Sequence, residues 1–403
     1  MLSLPRAEPF LTRAPKVAFV GSYPPRECGI ATFTKDIVSS FGTLSTAPHW
    51  VIAIDERPGL VRSYPSEVVA RIVRDEPETY RLAADAIAQL APDIVHVQHE
   101  YGLFGGEDGE RIFDLLDRVH APLVISLHTV IPEPSEHHRS VARRLCARAD
   151  AVIVLSEAGR TILENAYGID PNKLRMIPHG VPDVPFEPTE RAKRALGLGG
   201  RTLISTFGLI NRGKGLEYAI DALRAVVARH PNVLYMILGE THPEVRRSEG
   251  EIYRDSLKAR IRSYGLDRHV RLFDRYLGFD ELLGYLRATD IYLTPYVNPA
   301  QIVSGTLAYA IGCGKPVVST PYRYATDLLA DGRGMLCDFA DSRSLATALD
   351  RLLSDDALRA RITTAAYAFG KNMTWDNVAR EYGKIFAAVR ASARLSPADA
   401  YVA

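Results

Sequence analysis

The chain has 403 residues, 47% of them hydrophobic and 24% charged, and a formal net charge of +1. That composition is globular, and the length exceeds what one ordinary core organises, so two domains are expected. Near-neutral charge argues against a basic face for nucleic acid, and no stretch reaches the roughly 18 apolar residues of a membrane span.

Residues 1–15 lack the apolar run of a signal peptide. The expected location is the cytoplasm, with peripheral membrane contact left open. The cysteines, Cys28, Cys146, Cys313 and Cys337, are widely spaced and form no CxxC pair. They read as mostly buried thiols in a reducing compartment, not as a disulfide framework.

Residues 16–21 (KVAFVG) read as a first buried strand, followed by the turn SYPPRECG and an amphipathic helix from about Ile30. Further strands are expected at 49–54, 93–98, 122–127 and 151–155. Helices are expected between them, near 76–90, 109–119, 140–149 and 157–166. Strands apolar on both faces, separated by helices, imply a parallel sheet covered on both sides, a doubly wound α/β domain. The pattern fades over 181–200, where VPDVPFEPTE carries three prolines, and an interdomain linker is expected there. It restarts with strands at 202–207, 233–238, 269–272, 290–294 and 316–319. The matching helices are expected at 216–229, 245–264, 280–288 and 304–312, with a helical tail from 342 to about 393. Two such domains, 1–190 and 191–375, are expected to bring the carboxyl ends of their sheets to one ligand cleft.

Three strand-to-helix loops carry candidate chemistry. The first runs from Gly21 to Ile30, with Gly29 at the helix start, where free N–H groups favour an anion. An ordinary βα turn has the same look. The second, Gly208-Leu209-Ile210-Asn211-Arg212-Gly213-Lys214-Gly215, sets Arg212 and Lys214 two residues apart before a helix. Two cations and a helix N-terminus suit a diphosphate, with a solvated basic turn as the bland alternative. The third runs from Asn298 to Ala310. Ser304 reads as a helix N-cap, Ser304-Gly305-Thr306 offers N–H groups and hydroxyls, Gln301 lies in the loop, and Tyr309 sits in the helix or the core.

The histidines point to no metal. His96 and His99 fall on opposite faces of a strand, and His137 and His138 are adjacent. His128, ending the strand LVISLH at the ligand-facing edge, is the best single candidate, against the commoner structural role of a lone histidine. No GxGxxG, Walker, HExxH, GxSxG or EF-hand pattern occurs.

In order and spacing, these segments resemble the GT-B-fold retaining glycosyltransferases of family 4, over about residues 16–389. The resemblance rests on the Gly29-Ile30 loop, LHT at 127–129, IPHGV at 177–181, FGLINRGKG at 207–215 and LGE at 238–240. It continues through VRLFDRYLGFDELLGYLRATDIYLTPY at 270–296 and GCGKPVVST at 312–320, with Trp375 before a last helix. The resemblance implies two Rossmann-like domains facing a cleft, and a C-terminal helix, about 376–395, crossing back onto an acceptor-side N-terminal domain. It implies that Lys214 binds the donor diphosphate, with Gly208 in the same loop and Arg212 standing in for the family's arginine, whose place Leu209 holds. It assigns His128 to the donor sugar and Gly29 to a loop closing over donor phosphates or acceptor. Tyr276 and Leu277 then edge the base, and Ser304, Gly305 and Thr306 bind phosphate. Where the family carries two glutamates eight apart, for sugar and ribose, this chain has Gln301 and Tyr309.

The expected activity is hexose transfer from a UDP- or GDP-sugar to a glycan, lipid-linked or small-molecule acceptor. Retention of configuration is expected, with no cofactor and no metal required. If the reaction inverts, His99 or Glu100 is the candidate base. The rivals are another GT-B activity (sugar-phosphate synthase, phosphorylase or epimerase) and a non-catalytic nucleotide or glycan binder.

Overall fold

The structure, a computed structural model, describes residues 14–60 and 62–395. Most of the N-terminal stretch read for a leader therefore lies outside the described residues. The chain divides into two compact units, residues 1–180 with 375–403, and residues 181–374.

In the first unit the elements run β1 (Val17–Gly21), α1 (Gly29–Leu44), β2 (His49–Asp55), β3 (Val68–Val73), α2 (Pro77–Leu90) and β4 (Ile94–His99). There follow α3 (Phe113–Leu116), β5 (Leu123–Leu127), α4 (Glu136–Arg148), β6 (Ala151–Val154), α5 (Glu157–Tyr167) and β7 (Leu174–Met176). Among the described residues they form a seven-stranded sheet in the order β3-β2-β1-β4-β5-β6-β7, parallel throughout. Every residue of β1, β4, β5 and β6 is buried, as a sheet covered on both faces requires.

The second unit holds α6 (Thr189–Ala195), β8 (Thr202–Phe207), α7 (Leu216–Arg229), β9 (Val233–Leu238), α8 (Pro243–Glu249), α9 (Ile252–Ser263) and β10 (Val270–Leu272). It continues with α10 (Phe279–Ala288), β11 (Ile291–Thr294), α11 (Gly305–Gly312), β12 (Val317–Ser319), α12 (Arg323–Leu328), β13 (Gly334–Leu336), α13 (Ser342–Ser354) and α14 (Asp356–Gly370). Its parallel sheet has the order β10-β9-β8-β11-β12-β13. Apolar clusters cover both faces, one around Leu203, Met236 and Tyr292, the other around Ile204, Tyr235 and Leu293. Alternate residues of each strand feed opposite clusters. The last helix, α15 (Trp375–Leu395), belongs to the first unit. There Phe386 packs against Phe19 and Phe41, and Tyr382 bonds Ser126 Oγ at 3.0 Å.

Several local expectations are corrected. The helix expected at 109–119 is a 3₁₀ segment, Glu107–Ile112, and the single-turn α3, because Asp108 (φ 48°) and Gly109 (φ 78°) take left-handed conformations. The long helix expected at 245–264 breaks into α8 and α9 at Gly250 (φ 62°). The linker expected over 181–200 contains α6, whose buried Lys193 bonds Asp290 at 2.9 Å and Arg201 O at 3.1 Å. The edge strands β3, β7 and β13 were not expected: β7 and β13 are only three residues long, and β3, apolar though it is, lies half-exposed at the sheet edge.

Candidate functional site

In the second unit the chemistry gathers where β8 and β11 end. Gly208 takes φ 118°, which favours glycine. A Cβ there would stand 3.3 Å from Thr306 Cγ2 and 3.8 Å from Lys214 Nζ. Gly215 closes the next turn at φ 59°, and a Cβ on it would strike Pro295 O at 2.1 Å. These glycines let the Arg212–Lys214 turn lie against the end of β11. Lys214 Nζ donates to Tyr296 Oη at 2.6 Å and lies 4.1 Å from the Tyr296 ring centroid. Tyr296 Oη is 2.8 Å from Thr306 Oγ1, which is 3.1 Å from Ser304 Oγ. Ser304 caps α11 as the sequence indicated, accepting from Leu307 N at 3.3 Å. One ammonium and three hydroxyls thus stand at a helix N-terminus, an arrangement suited to phosphate oxygens.

The structure unites Gly208, Lys214, Ser304 and Thr306, with Gly305 opening the helix, but distributes the other candidates differently. Arg212 turns to Glu249 (3.3 Å) and the Tyr253 ring (5.4 Å), contacts it does not share with Lys214. Gln301 spends its side-chain amide on Val303 O at 2.9 Å. Tyr309 and Leu277 are buried in the core, whereas Tyr276 is exposed. Sequence reasoning did not single out Tyr296; its only local signal is a place two residues beyond a buried strand.

In the first unit Gly29 opens α1, capped by Cys28, whose Sγ accepts from Ala31 N at 3.4 Å. A Cβ on Gly29 would meet nothing within 4 Å, so the space before this helix end is open. His128 follows β5. Its Nε2 lies 2.7 Å from Gln98 Oε1, its backbone N–H donates to His99 O at 3.0 Å, and Phe33 meets its ring edge-on at 4.8 Å. Burial, then the nearby His179, His96 and His99, push His128 down to about 3. At neutral pH it is therefore an uncharged imidazole, able to accept a hydroxyl proton in a hydrogen bond.

The two fallback bases sit differently. His99 is fully buried, stacked on Phe104 at 5.6 Å and held down to about 3 by desolvation, with neither ring nitrogen hydrogen-bonded. Glu100 accepts from Thr129 Oγ1, and burial raises its pKa. His96 packs on the opposite face of β4 from His99, against Phe19 and Phe386, as the strand period requires. Glu107, Asp108 and His137 bring ligand-type atoms within 4.8 Å of one another, while His138 pairs with Asp108 at 2.9 Å. All four cysteines are free, and all but Cys28 are buried.

A profile of the glycosyl transferases group 1 matches residues 188–369, and one of glycosyltransferase family 4 matches residues 45–183. The chain belongs to this glycosyltransferase family. The glycosyltransferase is 26% identical over 283 residues to the D-inositol 3-phosphate glycosyltransferase of Corynebacterium urealyticum, covering 66% of this chain and 65% of that one. It is 27% identical over 310 residues to the enzyme of the same name from Acidothermus cellulolyticus, covering 72% and 67%. The chain thus spans about two thirds of the length of these relatives. Its fold is that of HepE of Anabaena, solved in complex with UDP-glucose (TM-score 0.73, 18% identity, 93% of this chain and 100% of that one). It is also that of sucrose-phosphate synthase from Thermosynechococcus elongatus (TM-score 0.75, 16% identity, 94% and 99%). Both units of the glycosyltransferase are therefore GT-B-type Rossmann-like domains.

Proposed function

We propose that this glycosyltransferase moves a hexose from a nucleoside diphosphate sugar to a hydroxyl acceptor with retention of configuration. The observation that carries the reading is the Lys214–Tyr296–Thr306–Ser304 cluster at the N-terminus of α11. The UDP-glucose complex of HepE and the names of the D-inositol 3-phosphate glycosyltransferases support a UDP-type donor and a small polyol acceptor. A GDP-sugar donor and a glycan or lipid-linked acceptor fit the same chemistry. The chain is assigned to the cytoplasm, with peripheral membrane contact when the acceptor is lipid-linked. Among the described residues no helix is long and apolar enough to cross a membrane.

In this reading the bond between C1 and the diphosphate oxygen breaks, and the diphosphate leaves with the electron pair. Lys214 and the N–H groups of Gly305 and Thr306 stabilise the charge that develops there. Arg212 contributes to the diphosphate only once it leaves Glu249, which pairs with it at 3.3 Å. The acceptor oxygen bonds to C1 on the departing face, and its proton passes to the leaving diphosphate oxygen. His128 holds a sugar hydroxyl as a neutral acceptor, and Gln301 borders the sugar through its loop. Tyr276 and Leu277 border the base, and Gly29 lets backbone approach the substrate. Charge neutralisation rests on the protein, so turnover is expected to survive EDTA.

A thermal-shift screen against UDP, GDP, ADP and their sugars tests the donor site, because a ligand of the folded state raises the melting temperature. A selective shift that Lys214→Ala abolishes, with the variant's own melting temperature unchanged, supports the assignment. An undiminished shift in Lys214→Ala removes it. Nucleotide binding without turnover on any acceptor favours the non-catalytic reading, to which the self-bonded Gln301 and the buried Tyr309 lend weight.

A further inference from the structure

Apart from the Lys214 cluster, the first unit gathers a set of metal-ligating side chains. Glu107 and Asp108 belong to the 3₁₀ segment after β4, and His137 to the first turn of α4. One ligand-type atom from each lies within 4.8 Å of the other two. Glu110 borders the group, its Oε2 3.5 Å from His137 Nε2. Among the described residues no lysine or arginine pairs with Glu107, Asp108 or Glu110, whose recorded charge partners are the two histidines. Arg111, next along the chain, turns to Asp114 at 3.5 Å. The positive end of the α4 dipole, about half a charge, is outweighed by three carboxylates.

The adjacent histidines take different parts. His138 Nδ1 is 2.8 Å from Ser135 Oγ, and its Nε2 is 2.9 Å from Asp108 Oδ1. With Ser135 donating to Nδ1, Nε2 keeps its proton and donates to Asp108, fixing that carboxylate as the residue behind a metal ligand does. His137 has no such anchor. Its Nδ1 is buried with no hydrogen-bond partner among the described residues, and its Nε2 has only Glu110, beyond good hydrogen-bonding distance. The spacing that disfavours two ligands on one ion thus serves one ligand and one brace.

We propose that Glu107, Asp108 and His137 bind a divalent ion of the Zn²⁺ type, that His138 positions Asp108 for it, and that the ion clips the segment after β4 to the start of α4. One imidazole nitrogen and two carboxylate oxygens suit Zn²⁺, with water or Glu110 in the fourth place, whereas Mg²⁺ favours oxygen alone. Tetrahedral ligands about 2.1 Å from the ion stand about 3.4 Å apart, so the group closes by roughly 1 Å on binding. The exposed Glu107 side chain can supply that movement. The clip is separate from the charge neutralisation assigned to Lys214.

Calorimetric titration of the EDTA-stripped full chain with ZnCl₂, and with MgCl₂ for comparison, tests it. The expected result is about one Zn²⁺ per chain with a Kd of about 10 μM or tighter, roughly tenfold or more over Mg²⁺, and a melting temperature that rises with Zn²⁺. Glu107→Gln and His137→Ala are each expected to weaken this binding by about tenfold or more and to remove the thermal shift. Glu107→Gln, an isosteric change at an exposed position, keeps the test valid if His137→Ala fails to fold. His138→Gln is expected to weaken binding by about tenfold at unchanged stoichiometry. Zn²⁺ binding undiminished in Glu107→Gln and His137→Ala resides at other histidines and overturns the proposal. No Zn²⁺ binding, or Mg²⁺ bound as tightly as Zn²⁺, overturns it too. Unchanged affinity in His138→Gln removes the positioning role.

Discussion

Single side chains decide the electrostatics of both candidate regions. Tyr296 links Lys214 to Thr306 through one phenol, and its ring also stacks on Tyr322 at 5.3 Å and 15°. Tyr296→Phe keeps the stack and removes the link. Nucleotide affinity is expected to fall about tenfold, the scale of a hydrogen bond to a charged group, with little change in melting temperature; titration calorimetry checks both. The histidines of the first unit set its acid response. Burial holds His96, His99 and His128 down to about 3 and His179 to about 4. The unfolded chain binds these protons near pH 6.5 and the folded one does not. Their neutral burial is therefore compatible with full stability above pH 6.5, and stability is lost as pH falls from there toward 3. Each such group contributes up to about 1.4 kcal/mol per pH unit in that window. The first unit is expected to melt at sharply lower temperature by pH 5, and His96→Phe to flatten the slope; calorimetry across pH 5–8 reads both. The sequence singles out His128 and His99 by their places at strand ends but says nothing of their burial, because burial of a strand histidine is set by what packs over it.

At the level of elements, glycine and capping residues are legible because their chemistry is local. Ser304 reads as an N-cap and is one, and Gly215 must be glycine because Pro295 O occupies the place of a Cβ. Ser304→Ala is expected to destabilise the second unit by about 1 kcal/mol and to weaken nucleotide binding at the same helix end; urea melts and titration check the pair. Close approach between distant helices carries no such signal. A Cβ on Gly370 at the end of α14 would lie 2.7 Å from Gly312 Cα and 2.9 Å from Ile311 O, backbone atoms that cannot swing aside. Gly370→Ala is expected to cost about 1–3 kcal/mol by overpacking, measured as a lower melting temperature of the second unit. The same blindness let α8 and α9 read as one helix, since a helical period survives a single left-handed Gly250.

Across the whole molecule, the last helix completes the first unit from the far end of the chain. Val378, Ala379, Tyr382 and Phe386 of α15 are buried there, and Trp375 lies 5.0 Å from Phe33, so close to Gly180 that a Cβ on that glycine would stand 2.2 Å from the indole. Truncation after Thr374 strips these rings from the core. The first unit is expected to lose its cooperative transition while the second, which supplies none of those contacts, keeps its own; circular dichroism and limited proteolysis distinguish the two. The sequence by itself determined the alternation of buried strands and helices, hence two doubly wound units, and the glycine and cap positions of the phosphate loops. Periodicity, conformational freedom at glycine and N-capping all act within a few residues, so they are written in a few residues. Only the tertiary structure decided that Tyr296, 82 residues from Lys214, would receive its ammonium, and that Gln98, 30 residues from His128, would hold its ring. It also decided that Arg212 would turn away to Glu249 and that Tyr309 would join the core. Such pairings depend on strand order and on which face of an element is covered, which arise when the sheets assemble and not along the chain.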